Sequence, residues 1–225
     1  MNTTLLMPQQ SKTHSLDTPI PQQINIMIDD LMASLPDPTQ LTSEEQRGII
    51  ARYTAVLEGN FIYWMTATLL SVQSEDARPI ILDNLHEEVR DAHPAMMRRF
   101  AIAAHAFPTE TDALDVHEDL TNIRLFLGRL SGVQSLLTMA FFEGFIQKFM
   151  AYLAALARAQ GSTDMEYTDV HGVCDIEHTD GLFRAFSIEM ALSPLDPKKD
   201  LFEGVYLLRT LIETIVFNRV ATLQA

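Results

Sequence analysis

The chain is poor in the residues that staple, anchor or split a fold. Of its 225 residues one is cysteine, Cys174. No disulfide framework can form, and a reducing, cytoplasmic setting is the expectation. Basic residues are outnumbered, with 16 Lys and Arg against 30 Asp and Glu and a net charge of −14. Such a surface repels phosphate backbones and anionic headgroups, so neither nucleic acid nor a membrane is expected as a partner and a small molecule is. The N-terminus shows no basic segment followed by an apolar one, so no secretory signal is expected. The longest apolar run, Phe61 to Leu70, is too short to span a bilayer. Strand-type alternation, internal repeats and low-complexity linkers are absent as well.

What remains is helix. With 47% hydrophobic residues, a chain of this length can bury the core of a single domain. Residues 1–20 are polar and read as a loose tail, leaving 21–225 as the domain. Helical apolar spacing runs from Ile24 to Leu35 and stops at Pro36. Thr42 and Glu45 form a capping box that opens a helix to about Leu70. Pro79 suits the first turn of the next helix, which carries His86 and His93, and Pro94 is expected to break it just after His93. A segment from Ala113 to Leu130 follows. Val133 to Ala159 is apolar nearly all round and stops at Gly161. A second capping box, Thr163 and Glu166, opens a further helix, and a last one covers about Asp200 to Leu223. The expectation is an all-α, single-domain bundle.

Chemistry concentrates on a few polar residues within these apolar helices. His171, Asp175 and His178 stand at i, i+4 and i+7, on one helix face. Two imidazoles and a carboxylate on one stripe can hold iron, manganese or zinc. His86 and His93 repeat the i, i+7 spacing. Glu143 lies in an apolar run from Leu136 to Ile146, where an unpartnered carboxylate would cost several kcal/mol or become neutral. Glu58 poses the same problem just before Asn60-Phe61-Ile62-Tyr63-Trp64. A cluster drawn from four helices is how a bundle builds a two-metal centre. The opposing reading is structural: lone histidines usually pack or face solvent, and Glu58 and Glu143 could sit on helix edges.

The order Glu58, His93, Glu143, then His171-x-x-x-Asp175-x-x-His178 resembles the haem-oxygenase-like diiron oxidases and oxygenases. So does the phrase from Asn84 through His86, Glu87 and Glu88 to His93-Pro94. The resemblance covers about residues 42–223. It implies a seven-helix haem-oxygenase-like bundle holding two Fe(II) ions in place of haem, with dioxygen as co-substrate. One iron would take Glu58, His93 and His178, the other His171 and Asp175, with Glu143 bridging. Family members often carry an acid about two turns before the helix-2 histidine. Here the residue at that spacing is His86, which is expected as an extra ligand, with Glu87 and Glu88 as the alternatives.

The resemblance further implies oxidation of an amino-acid-type substrate. N-oxygenation and C–C cleavage are among the family's outcomes, as is conversion of a tryptophan, brominated or not, to an indole nitrile. An external electron donor fits such chemistry. Tyr63, Trp64, Phe141, Phe142 and Phe145 are candidates to line the substrate cavity and are equally plain core. Arg52, Arg124 and Arg184 are candidates to bind a substrate carboxylate. Two other classes stand beside this reading: an enzyme of the same fold without a diiron centre, and a non-catalytic helical protein that binds partners. The apolar last helix could also serve a homodimer or simply pack in the core.

Overall fold

The computed structural model describes residues 18–218, all in helices and their connections. Most of the tail expected over 1–20, and the end of the last helix expected beyond 218, lie outside the described residues. The fold is an all-α, single-domain bundle. Among the described residues it has ten α-helices and one 3₁₀ turn rather than seven helices, because several long segments are broken.

The helices are α1 (Ile20–Ser34), α2 (Ser43–Leu57), α3 (Asn60–Ser71), α4 (Arg78–Arg90), α5 (His93–Ala103), α6 (Glu110–Asp115), α7 (His117–Leu127), α8 (Gly132–Ala159), α9 (Glu166–Leu192) and α10 (Glu203–Phe217). The segment expected to run unbroken from Thr42 to Leu70 splits between α2 and α3. Glu58 caps α2, and Gly59 turns the chain at φ +78°. The Thr42–Glu45 capping box is present, and α8 spans the segment expected for it. The box expected at Thr163 and Glu166 is not: α9 starts at Glu166 behind Met165, which makes no side-chain cap. Asp164 Oδ1 accepts the Glu166 N–H instead.

The break between α4 and α5 matters most. It falls before His93, at Asp91 and Ala92, with Ala92 in the left-handed region at φ 54°. Pro94 is the reason. Its ring would meet the carbonyl four residues back, and it has no N–H to give. The chain therefore leaves the helix after Arg90 and restarts with Pro94 in the first turn of α5. His93 thus opens α5 instead of closing α4.

At the centre lies α8, buried on most of its circumference and packed most extensively against α9. By length and composition it could cross a membrane, but 67% of its most apolar window is buried inside the protein. The apolar face of α10, with Val205, Leu208, Leu211 and Ile212, is buried within the chain. It packs on α7 and α8, so core packing accounts for it.

At Gly204 α10 approaches its neighbours closely: a Cβ there would run into Thr138 Oγ1 and the Phe126 ring. Gly204→Ala should destabilise the fold by about 1–3 kcal/mol through overpacking. Urea unfolding should show it as a lower midpoint at unchanged slope.

Candidate metal centre

Two clusters of metal-ligand side chains lie in the bundle. The first joins Glu88 of α4, His93 at the start of α5 and His171 of α9, all buried. His93 Nδ1 stands 2.8 Å from Glu88 Oε1, and His171 Nε2 stands 3.8 Å from the same oxygen. His171 Nδ1 is 2.9 Å from the Tyr167 carbonyl oxygen. A carbonyl only accepts, so Nδ1 carries the proton and Nε2 turns a bare lone pair towards Glu88. Burial pushes the His171 pKa down to about 4, which keeps the ring neutral. For His93, burial works against the charged form, but the hydrogen bond and charge of Glu88 outweigh it and raise the pKa.

The second cluster joins Glu143 of α8 to Asp175 and His178 of α9. His178 Nδ1 lies 3.8 Å from Asp175 Oδ1 and 4.0 Å from Glu143 Oε2. Glu143 is 1% exposed. Burial raises its pKa well above the ordinary value. The charge of Asp175 adds to the rise, while a hydrogen bond from Asn84 opposes it. The Asn84 Nδ2 donor is 2.9 Å from Glu143 Oε1. Side-chain interaction with Asp175 adds to the rise, so Glu143 favours its protonated form in the metal-free protein.

The clusters adjoin. Glu143 lines the same narrow cavity as Glu88, His93 and His171. Its void, mouth included, is about 370 Å³. Its apolar walls include Leu57, Phe61, Ile62, Met97 and Ile146, and Tyr167 adds one hydroxyl-bearing ring. Among the described residues, no lysine or arginine lines it. Behind Tyr167 the hydroxyls of Tyr53 and Tyr167 lie 2.9 Å apart.

A metal ion fits both sets of donors. His171 offers a bare Nε2. His178 Nδ1 is buried with no hydrogen-bond partner and faces two carboxylates. Ligand atoms on one ion with bonds of ~2.1 Å stand roughly 3–3.5 Å apart. Small side-chain movements would close the present gaps.

Several sequence expectations meet a different geometry. His171, Asp175 and His178 do share a face, but they divide between two clusters. His93 stands with His171, and His178 with Asp175 and Glu143, so the expected ligand grouping is rearranged. His86 is exposed on α4 and reaches neither cluster. The i, i+7 match between His86 and His93 assumed one continuous helix, and the break at Asp91 and Ala92 voids it. Glu88 takes the inward position. Glu87 points outward, its Oε2 3.0 Å from His178 Nε2. Glu58 sits on the α2–α3 turn, ion-paired with Arg98, and joins neither cluster.

Of the aromatic candidates, Tyr63 is 46% exposed. Trp64, Phe141, Phe142 and Phe145 are fully buried core, and none of the five lines the cavity. The arginine candidates are elsewhere: Arg52 donates to the Ile215 carbonyl, Arg124 to Asn60, and Arg184 lines an outer groove.

A sequence model of the iron-containing redox enzymes, haem-oxygenase-like proteins, matches residues 50–208. The chain belongs to this family. Every residue of the two clusters falls within the matched span. For an iron-containing redox enzyme, the buried histidine and carboxylate clusters are the place where iron would bind. No curated protein matches the chain.

The buried Glu143 carboxyl gives a signed prediction for the metal-free protein. Its folded pKa lies above the unfolded value, so above about pH 4.3 the unfolded state releases the proton first. Stability associated with this group is therefore full at low pH and falls as pH rises towards the folded pKa. Glu143→Gln, which keeps the shape without the proton, should flatten that decline. Chemical denaturation of wild type and variant between about pH 5 and 8, with chelator present, measures it. Equal slopes would count against a protonated Glu143.

Proposed function

We propose that this iron-containing redox enzyme is a non-haem diiron oxygenase, using two Fe(II) ions and dioxygen to oxidise an amino-acid-type small molecule. The observation that carries the reading is the pair of adjoining three-residue clusters, joined through Glu143, which belongs to the second and lines the cavity of the first. Imidazole and carboxylate suit ferrous iron, and three protein donors leave positions open. Glu88, His93 and His171 would hold one ion, and Glu143, Asp175 and His178 the other. Glu143 would serve both ions, which its place in the second cluster and in the lining of the first cluster's cavity supports. Iron bound there would supply redox chemistry with dioxygen.

The protein's own residues do the rest. Tyr167 holds the His171 ring by accepting its Nδ1–H on the backbone carbonyl. Asn84 holds Glu143. Phe61, Ile62, Met97 and Ile146 exclude water and favour an apolar group of the substrate. With no lysine or arginine in the lining, a substrate carboxylate would be held by the metal side of the cavity or at its mouth. Electrons beyond those of the two ions would come from an external donor.

The finest form of the proposal is a tryptophan substrate, brominated or not, converted to an indole nitrile by C–C cleavage with its nitrogen retained. Its support is the family resemblance, since no residue of the lining selects bromine. The reading is placed above a metal-free enzyme or a partner-binding protein because the lone pairs of His171 and His178 converge on buried carboxylates.

Anaerobic titration should load about two Fe(II) per chain, and mixing with oxygen should give a transient visible absorption. Among a panel of amino acids including tryptophan and bromotryptophan, one should alter its decay and be consumed. A folded sample that takes up no iron and shows no transient sinks the proposal.

A further inference from the structure

We infer that Glu87 is a positioning residue for the second metal site, fixing the tautomer of His178 from outside so that Nδ1 is delivered bare to the cluster. This inference rests on the proposed diiron reading for its purpose, though not for its geometry. His178 has one ring nitrogen on each side of a divide. Nε2 lies 3.0 Å from Glu87 Oε2. Nδ1 is buried, without a hydrogen bond, 3.8 Å from Asp175 Oδ1 and 4.0 Å from Glu143 Oε2.

A neutral imidazole carries one proton, and an ionised carboxylate only accepts. If the proton sat on Nδ1, Nε2 would set its lone pair against a carboxylate oxygen at hydrogen-bond distance. The N–H on the far side would meanwhile fall short of both acids. With the proton on Nε2, Glu87 accepts it and the lone pair of Nδ1 faces Glu143 and Asp175. A carboxylate behind a ligating histidine also makes that histidine a better donor.

Glu87 cannot reach the same ion without abandoning its hydrogen bond, because its oxygen lies on the opposite edge of the ring. Nor is it part of the core. Its side chain is 41% exposed. It lines a groove open to water together with Asp83, Glu177 and Arg184. Its charge therefore carries no deep burial penalty, and it can be replaced without opening a cavity.

The same helix explains the division of labour. Asn84, Glu87 and Glu88 stand at i, i+3 and i+4, along one side of α4. Asn84 binds Glu143, Glu87 binds His178, and Glu88 stands in the first cluster. One helical turn thereby supplies a ligand candidate to one site and two supporting groups to the other.

Two readouts test Glu87. The first needs no metal: nitrogen-15 histidine NMR of the chelator-treated full chain at about pH 8, above the ordinary histidine pKa. Wild type should show His178 protonated at Nε2 and bare at Nδ1, and Glu87→Ala should lose that preference. A proton on Nδ1 in wild type overturns the inference.

The second is anaerobic titration with cobalt(II). Glu87→Ala should weaken one of two binding events by about 10–100-fold and leave the other in place. Glu87→Gln, whose amide oxygen can still accept the Nε2–H, should recover to within a few-fold of wild type. Glu87→Gln as weak as Glu87→Ala, or no change in either, overturns it: the first outcome points to direct ligation, the second to a surface group. If wild type takes no cobalt or iron, the diiron reading falls and the tautomer still decides the role of Glu87.

Discussion

Buried negative charge is the constraint on which this fold turns. Glu88, Glu143 and Asp175 lie almost wholly out of water between α4, α8 and α9. Three ionised carboxylates in such a place would repel one another and lose their hydration, a combination proteins avoid unless cations or protons answer it. Part of the answer is assembled around them: the His93 imidazole, whose pKa Glu88 raises, an amide donor from Asn84, and a Glu143 pKa well above the ordinary value. His93 is thus more than a candidate ligand, since it also offsets the charge of Glu88 in the metal-free protein. His171 and His178 turn lone pairs towards the acids, an arrangement that a cation would complete.

The helix breaks serve that arrangement. An unbroken α4 would have carried His93 away on its own axis. The turn at Asp91 and Ala92 swings it back beside Glu88, five residues earlier, at a cost of about 1–2 kcal/mol for a left-handed alanine. The turn at Gly59 acts oppositely on Glu58, leaving it half-buried outside both clusters and paired with Arg98. Two interruptions of similar size therefore sort one acid out of the centre and bring one histidine in. Both follow from local chemistry, one from a proline that cannot continue a helix and one from a glycine that can turn left-handed.

The sequence made the helices legible where a single periodicity ruled. The all-round apolarity of α8 and the capping box at Thr42 mark elements that the structure contains. The stripe of His171, Asp175 and His178 could be read because α9 runs straight through it. The structure departs from the sequence reading where two elements had to be combined. The expectation for His86 treated residues on both sides of a break as one helix. The expectation for Glu58 did not allow for a helix C-terminus that turns its last side chain to an ion pair with Arg98. The aromatic run was placed at the cavity by closeness in sequence, whereas Leu57, Phe61 and Ile62 line it. Pro94 was the available signal for Glu88, since it shows that spacing across that point cannot be counted in helical turns.

One helix holds a member of each cluster, and this has a consequence for how the protein can change over time. From His171 to His178 the rise is about 10 Å at 1.5 Å per residue, and each residue turns the chain by roughly 100°. Adding or deleting one residue between them would rotate one site away from its partners whatever the rest of the bundle did. The distance between the sites is thus inherited as a property of α-helical pitch. Loops may lengthen and α4 may be redecorated, but the interval from 171 to 178 is a ruler that descendants of this chain can copy or lose, and not adjust.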